Sequence, residues 1–368
     1  MNRADPQDVA IKEERLWRFL AGAGYDAAVI GRADTFAWLT GGGENRVIHS
    51  TETGFSLLMF AGGRKHLVSL VADGPRVMEE ELEGLGYEPE FLHWYAEAPA
   101  VRAMALAGGG RVLSDLPLPG ADCRPDCFTA LQTPLTPKER ERCRILGRMT
   151  DEVLAEAAGR IRPGMTELQV QGLLAGLYAE RDIALDVLLI GSDARIGAYR
   201  HCLPSPKTIE SVVLLSPAIR KWGLHANVAR MVCFGSVPAQ TRQRFEAVTA
   251  IEAEVLSLVR PGMRFRDILE RQKALYAAMG WPEEWRLHYQ GGTTGYHVSD
   301  PTLCQRADAV LVENQVYDWF ITITGAKAEE LSLHADGRLE VPSVTGAWPT
   351  RAWTRNGVTR LLPELLVL

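Results

Sequence analysis

Apolar positions Ile11, Leu16, Phe19 and Leu20 recur on one face at helical spacing, which predicts an amphipathic helix from about Asp8 to Gly22. A short apolar run, Ala27 to Ile30, follows a Gly-Tyr turn and reads as a strand. The segment GFSLLMFAGGRKHLVSLV reads as two strands joined near Gly62-Gly63. Pro75 to Leu85 has helical spacing, with Met78 and Leu82 facing inward, and RVLSDL near residues 111 to 116 is a further strand. Strands alternating with helices predict an α/β domain of about 130 residues. QTPLTPKERERCRILGRM then marks a boundary: two prolines and a Thr-Pro-Lys-Glu start signal open a long helix from about Lys138 to Arg160. The expected domains are residues 1–134 and 135–368.

Past that boundary the pattern repeats. The tetrad RPGM begins at Arg162 and again at Arg260, 98 residues apart, and Leu177-Tyr178-Ala179 recurs at the same offset as Leu275-Tyr276-Ala277. Two matches at one offset predict a structural duplication, each half a long helix, a Pro-Gly turn, a second helix and then strands. A cleft is expected where the two halves meet. Between the repeats lies YRHCLPSPKTIESVVLLSPAIRKWGLHANVAR, residues 199–230. It predicts a hairpin: a strand from Val212 to Leu215 ended by Ser216, a turn at Trp222-Gly223, and a second strand ending at Arg230.

Composition narrows the function classes. A net charge of −6 with no Lys/Arg run argues against a nucleic-acid surface. No apolar run approaches the roughly 20 residues of a membrane span, and the charged, amphipathic start of the chain is unlike a signal peptide. The six cysteines are scattered; Cys123 and Cys127 lack a second pair for a zinc site, and reduced thiols in a cytoplasmic protein are expected.

The hairpin, with polar residues Ser216 and Asn227 eleven apart, resembles that of the creatinase, methionine aminopeptidase and prolidase family, the pita-bread fold. FAWLTGG resembles the amino-terminal "YLTG" element of creatinases and prolidases, where a strand meets a glycine turn. QGGTTGY, WFITITGAKAEEL and GAWPTRAW resemble a metal-deficient branch of Xaa-Pro-peptidase-like proteins. The resemblance implies a small creatinase-like α/β domain followed by a pita-bread domain of two pseudo-repeated ααββ halves. It also implies five metal-ligand places, which here read Ser216, Asn227, Gly292, Phe320 and Glu329. Neutral residues cannot replace carboxylates around hard divalent cations, so neither a metal nor another cofactor is expected.

Creatinase works without metal, and the resemblance implies that His201 matches its proton-transfer histidine. An imidazole titrating near neutrality can take a proton from water and return it to a leaving nitrogen. Glu329 would orient that histidine or bind a cationic group. Phe320 removes half of a creatine-binding clamp and makes one side of the site apolar, with Asp318 two residues away. Asn227, His225 (two before it on one strand face), His288 and the close backbone approach at Gly292 are further candidates for substrate contact. Tyr199 and Tyr296 are expected in the cleft wall; His297 and His334 are expected on the surface. The resemblance further implies a homodimer with shared active sites, in which Arg46 binds a substrate carboxylate in the partner's cleft. The expected function is metal-independent C–N hydrolysis, elimination or isomerisation on a small amino-acid-like or guanidino-like molecule. The alternatives are an inactive relative that binds a peptide or small ligand and, less favoured, a metal-dependent aminopeptidase.

Overall fold

The computed structural model describes residues 4–368, and the chain divides into two compact units between Glu139 and Arg140. In the first unit a six-stranded sheet is built from β1 (Ala27–Arg32), β2 (Thr53–Ala61), β3 (Arg64–Leu70), β4 (Glu88–Leu92), β5 (Val112–Ser114) and β6 (Ala121–Cys123). Its order is β4-β3-β2-β1-β5-β6. Val29, Met59, Val68, Ala103 and Val112 form the centre of its core. The first helix, Pro6–Ala23, starts where Asp5 caps it, with Pro at its first position, and ends at Gly24 in the left-handed conformation. Its buried Lys12 reaches Asp8 at 2.7 Å and Glu139 at 2.9 Å.

Two local expectations are corrected here. The strand expected in FAWLTGG is a helix, Ala33–Thr40, with every residue buried and Gly41 at φ 65° closing it. Apolar residues on every face suit a buried helix as well as a buried strand, so periodicity could not separate the two. After Gly74–Arg76 the chain forms a short π-turn, Val77–Glu81, and it is Val77, fully buried, rather than half-buried Met78 that faces inward. Inserting an extra residue per turn rotates the inward face.

The second unit carries the duplication. Helices Pro137–Ala158 and Glu167–Ala179 precede β7 (Ala184–Ser192), β8 (Val212–Lys221), β9 (Leu224–Asn227) and β10 (Arg230–Cys233). Helices Ala239–Leu258 and Phe265–Ala278 precede β11 (Gly292–Thr293), β12 (Gln315–Asp318), β13 (Ile321–Ile323), β14 (Ala326–Ala328), β15 (Leu331–Ala335) and β16 (Arg338–Glu340). The two RPGM turns are built alike. Gly164 and Gly262 have φ 92° and 89°, a region glycine adopts freely. Gly164 N donates to Ile209 O and Gly262 N to Leu311 O, and the return bonds run to Met165 O and Met263 O, both 2.8 Å. The fold is a mixed α/β architecture of the pita-bread type, with an amino-terminal domain.

The hairpin differs from its expected limits. β8 runs on to Lys221, so Ser216 lies within it, and the partner strand is broken at Val228-Ala229 rather than ending at Arg230. Pro217 explains both features. β10 pairs with Val212 to Leu215 and β9 with Ala218 to Lys221, so the residue lacking an N–H falls where one partner hands over to the other. Val248, Ile251, Tyr276, Tyr317 and Trp319 pack behind these strands. Among the described residues no helix is long and apolar enough to cross a membrane.

Candidate active site

A cavity of about 340 Å³ opens in the second unit. It is lined by His201, His288, Ser216, Asn227, Phe320, Lys327 and Glu329, with Val187, Leu189 and Leu203 among its apolar residues. The strand period of two explains the convergence. Lys327 at the centre of β14 and Glu329 just beyond it lie on one face, as do Asp318 and Phe320. Glu330, between the faces, turns the other way into a buried cluster with Arg230 and Asp151.

At the floor Lys327 Nζ lies 2.6 Å from Glu329 Oε2 and donates to Ser216 Oγ at 2.9 Å, while Ser216 Oγ donates to Glu329 at 3.2 Å. Beside them Asn227 Nδ2 donates to Val298 O at 2.8 Å and to Asp318 Oδ2 at 2.6 Å. Burial, and then the charge of Glu329, push the Asp318 carboxyl well above its ordinary range.

Two histidines stand over this floor. His201 follows the short helix Ala194–Ala198, His288 follows the turn Glu284–Leu287, and their Nε2 atoms are 3.0 Å apart. Hydrogen bonding assigns the tautomers. His288 Nδ1 lies 2.8 Å from Tyr289 O and must donate to it. The Nε2 of a neutral His288 is then an acceptor, so His201 carries its hydrogen on Nε2 and keeps the lone pair on Nδ1. The base of the pair is therefore His201 Nδ1. Burial first and then Lys327 lower the pKa of both rings; His288 is pushed down to about 4, His201 contributing. Both imidazoles are neutral at pH 7.

That depression has a sign for stability. The folded pKa lies below the unfolded value of about 6.5, so the unfolded chain takes up protons first and stability is lost as pH falls from 6.5 towards 4. The groups facing His288 are His201, Lys327 and Glu329. Denaturant midpoints measured from pH 7.5 to 4.5 should fall more steeply for the native chain than for His288→Gln; equal slopes would show that His288 is not the group responsible.

Most of the expected site converges, with named exceptions. His201, His288, Asn227, Phe320 and Glu329 line the cavity, and Asp318 sits behind Asn227. Tyr199 does not form a wall: it is 57% exposed, under the Arg195 guanidinium. His225 shares a strand face with Asn227 but is captured first by Asp186 on the bulged strand β7, at 2.9 Å, and by Gly295 O, at 2.7 Å. Tyr296 is buried and does not line the cavity. Gly292 lies in β11, outside the lining. His334 is buried against Tyr317 rather than exposed, and His297 is half-buried. Arg46 belongs to the first unit, half-buried beside Asn45, whose side chain brackets Ser56 through both its N–H and its C=O. Sequence reasoning passed over Lys327, although its place two residues before Glu329 in GAKAEEL was the available signal.

A divalent metal does not fit these residues. Ser216 and Asn227 offer neutral groups, the Asn227 amide turns its NH₂ towards Asp318, and an ammonium already pairs with Glu329. At Gly292 even a Cβ would lie 2.1 Å from Asp300 O, so the backbone leaves no room for an imidazole. Among the described residues no group of three or more His, Cys, Asp or Glu could hold a metal ion.

The sequence model of the metallopeptidase family M24 matches residues 141–330. No curated protein matches the chain by sequence. Solved structures resemble it over nearly its whole length. An Xaa-Pro dipeptidase from Bacillus anthracis is 16% identical, covering 98% of this chain and 100% of its own, with a TM-score of 0.74. A dipeptidase from Pyrococcus horikoshii OT3 is 18% identical over 97% and 100%, with a TM-score of 0.76. A prolidase from Thermococcus sibiricus is 17% identical over 100% of both chains, with a TM-score of 0.75. At such identities the likeness is one of fold.

Proposed function

The chain belongs to the metallopeptidase family M24, and from that premise we propose that it hydrolyses a C–N bond of a small amino-acid-like or guanidino-like molecule without a metal ion. The observation that carries the reading is the neutral imidazole pair, Nε2 to Nε2 at 3.0 Å, over a cavity floor that holds an ammonium instead of a metal-ligand set. His201 Nδ1 takes a proton from water as the oxygen bonds to the substrate carbon. The same proton then passes to the nitrogen as the C–N bond breaks, so the amine leaves neutral and His201 returns to its starting state. His288 is a positioning residue: its Nε2 accepts from His201 and fixes which nitrogen is basic. Phe320, Leu189 and Val187 give the substrate's apolar part a dry wall.

The names of two solved relatives, an Xaa-Pro dipeptidase and a prolidase, favour a second reading in which the substrate is a dipeptide ending in proline. A panel of Xaa-Pro dipeptides, N-acyl amino acids and guanidino acids, assayed by amine release in the presence of EDTA, tests both. Turnover of any member under chelation supports the proposal, and the member names the substrate class. No turnover across the panel with or without EDTA, alongside saturable binding, would leave an inactive ligand-binding relative.

A further inference from the structure

Three of the places that resemblance assigns to metal ligands, Ser216, Glu329 and Phe320, surround one atom that sequence analysis passed over. Lys327 Nζ reaches Glu329 at 2.6 Å and Ser216 at 2.9 Å, and lies 5.8 Å from the centre of the Phe320 ring. The side chain is only 6% exposed, yet it lines the cavity. An ammonium has three N–H groups. Two are taken by Glu329 and Ser216, and the third has no protein partner among the described residues. A buried, charged donor left unpartnered is costly, and the cost is relieved when a ligand supplies an acceptor.

The charge balance of the floor points the same way. Glu329 offsets Lys327 at 2.6 Å, and burial with the charge of Glu329 pushes the Asp318 carboxyl towards its neutral form, which leaves little negative charge on the floor to repel an anion. Above it both imidazoles are neutral, and His201, at the exposed rim, can gain a proton when an anion enters. Opposite stand the hydrocarbon walls of Val187 and Leu189 with the Phe320 ring.

We propose that Lys327 is the built-in cation of this cavity and that its third N–H binds the carboxylate of a small ligand whose apolar body lies against Phe320, Leu189 and Val187. The cation of this cavity is thus a side chain, and it confers selectivity for carboxylates. The inference rests on the reading of this cavity as the active site, but equilibrium binding needs no turnover, so failure of one is distinguishable from failure of the other.

The test is calorimetric titration of the full chain at pH 7.5 with hippurate, a carboxylate with an aromatic body, and with its neutral amide, hippuramide. The native chain should bind hippurate about tenfold more tightly than the amide, the order expected of one charge-assisted hydrogen bond. Glu329→Gln removes the competing carboxylate and should tighten hippurate binding several-fold. Lys327→Met alone strands a buried carboxylate and can fail to fold, so the informative variant is Lys327→Met with Glu329→Gln, checked by its melting curve. It should bind hippurate no better than hippuramide. Retained preference for hippurate in the double variant, or no preference in the native chain, would overturn the proposal.

Discussion

Replacing His201 with alanine is expected to lower kcat by roughly 10²–10⁴, the range for loss of a general acid/base, while leaving the melting temperature almost unchanged. The residue is exposed at the cavity rim and its one side-chain hydrogen bond is to His288, so little packing is lost. His288 separates positioning from proton transfer. His288→Asn keeps an acceptor for the His201 Nε2–H, whereas His288→Leu removes it and frees the ring to turn. The asparagine variant should retain more activity than the leucine one. The leucine variant should move the acid limb of the rate profile to lower pH, because it removes the acceptor that holds the N–H of the protonated His201 ring. An unshifted acid limb would mean that the two rings do not titrate as neighbours. Normal turnover in His201→Ala would remove the proposed base altogether.

The largest stability effect is expected one residue away from the site. Arg230 is wholly buried, with Asp151 at 2.9 Å, both oxygens of Glu330 and the Ser343 carbonyl at 2.8 Å around its guanidinium. Ser343 Oγ donates to Glu330 at 2.6 Å and Thr345 Oγ1 to Asp151 at 2.7 Å, so the carboxylates are satisfied from outside as well. Burial pushes Glu330 up to about 7 even with Arg230 beside it. Arg230→Met leaves two buried carboxylates without their cation and should cost about 3–5 kcal/mol. For a unit of this size that lowers the melting temperature on the order of 10 °C. The combined change Arg230→Met, Asp151→Leu, Glu330→Leu removes all three charges and should recover much of the loss. If the single variant melts like the native chain, the cluster is not the clamp between β10 and the start of β15 that its bonds describe.

The duplication was legible because it rests on glycine conformation. Gly164 and Gly262 sit in equivalent turns with equivalent hydrogen bonds, and a backbone requirement of that kind leaves the same tetrad in both halves. Polar residues placed by strand periodicity were legible too: Ser216, Asn227 and Glu329 come together because each lies near the strand end or strand break that faces the cavity. The failures have a common cause. His225 and Asn227 share a face, yet Asp186, presented by a bulge in a strand 39 residues earlier, captures one and not the other. Tyr199 depended on where a loop goes, and its neighbours fix no path. Lys327 was obscured by its chemistry, because lysine on a short strand normally reads as solvated. Only the positions of Ser216, some 111 residues earlier, and of Phe320 reveal that it is buried.

The central claim is catalysis without a metal, and elemental analysis joined to an activity assay tests it most directly. The chain is purified, incubated with Mn²⁺, Co²⁺ or Zn²⁺, desalted and measured both for bound metal and for turnover before and after chelation. The account predicts far less than one metal ion per chain and turnover indifferent to EDTA, because Lys327 pairs with the one remaining carboxylate of the ligand places. Two tightly held ions per chain, with activity lost on their removal and restored on their return, would contradict it.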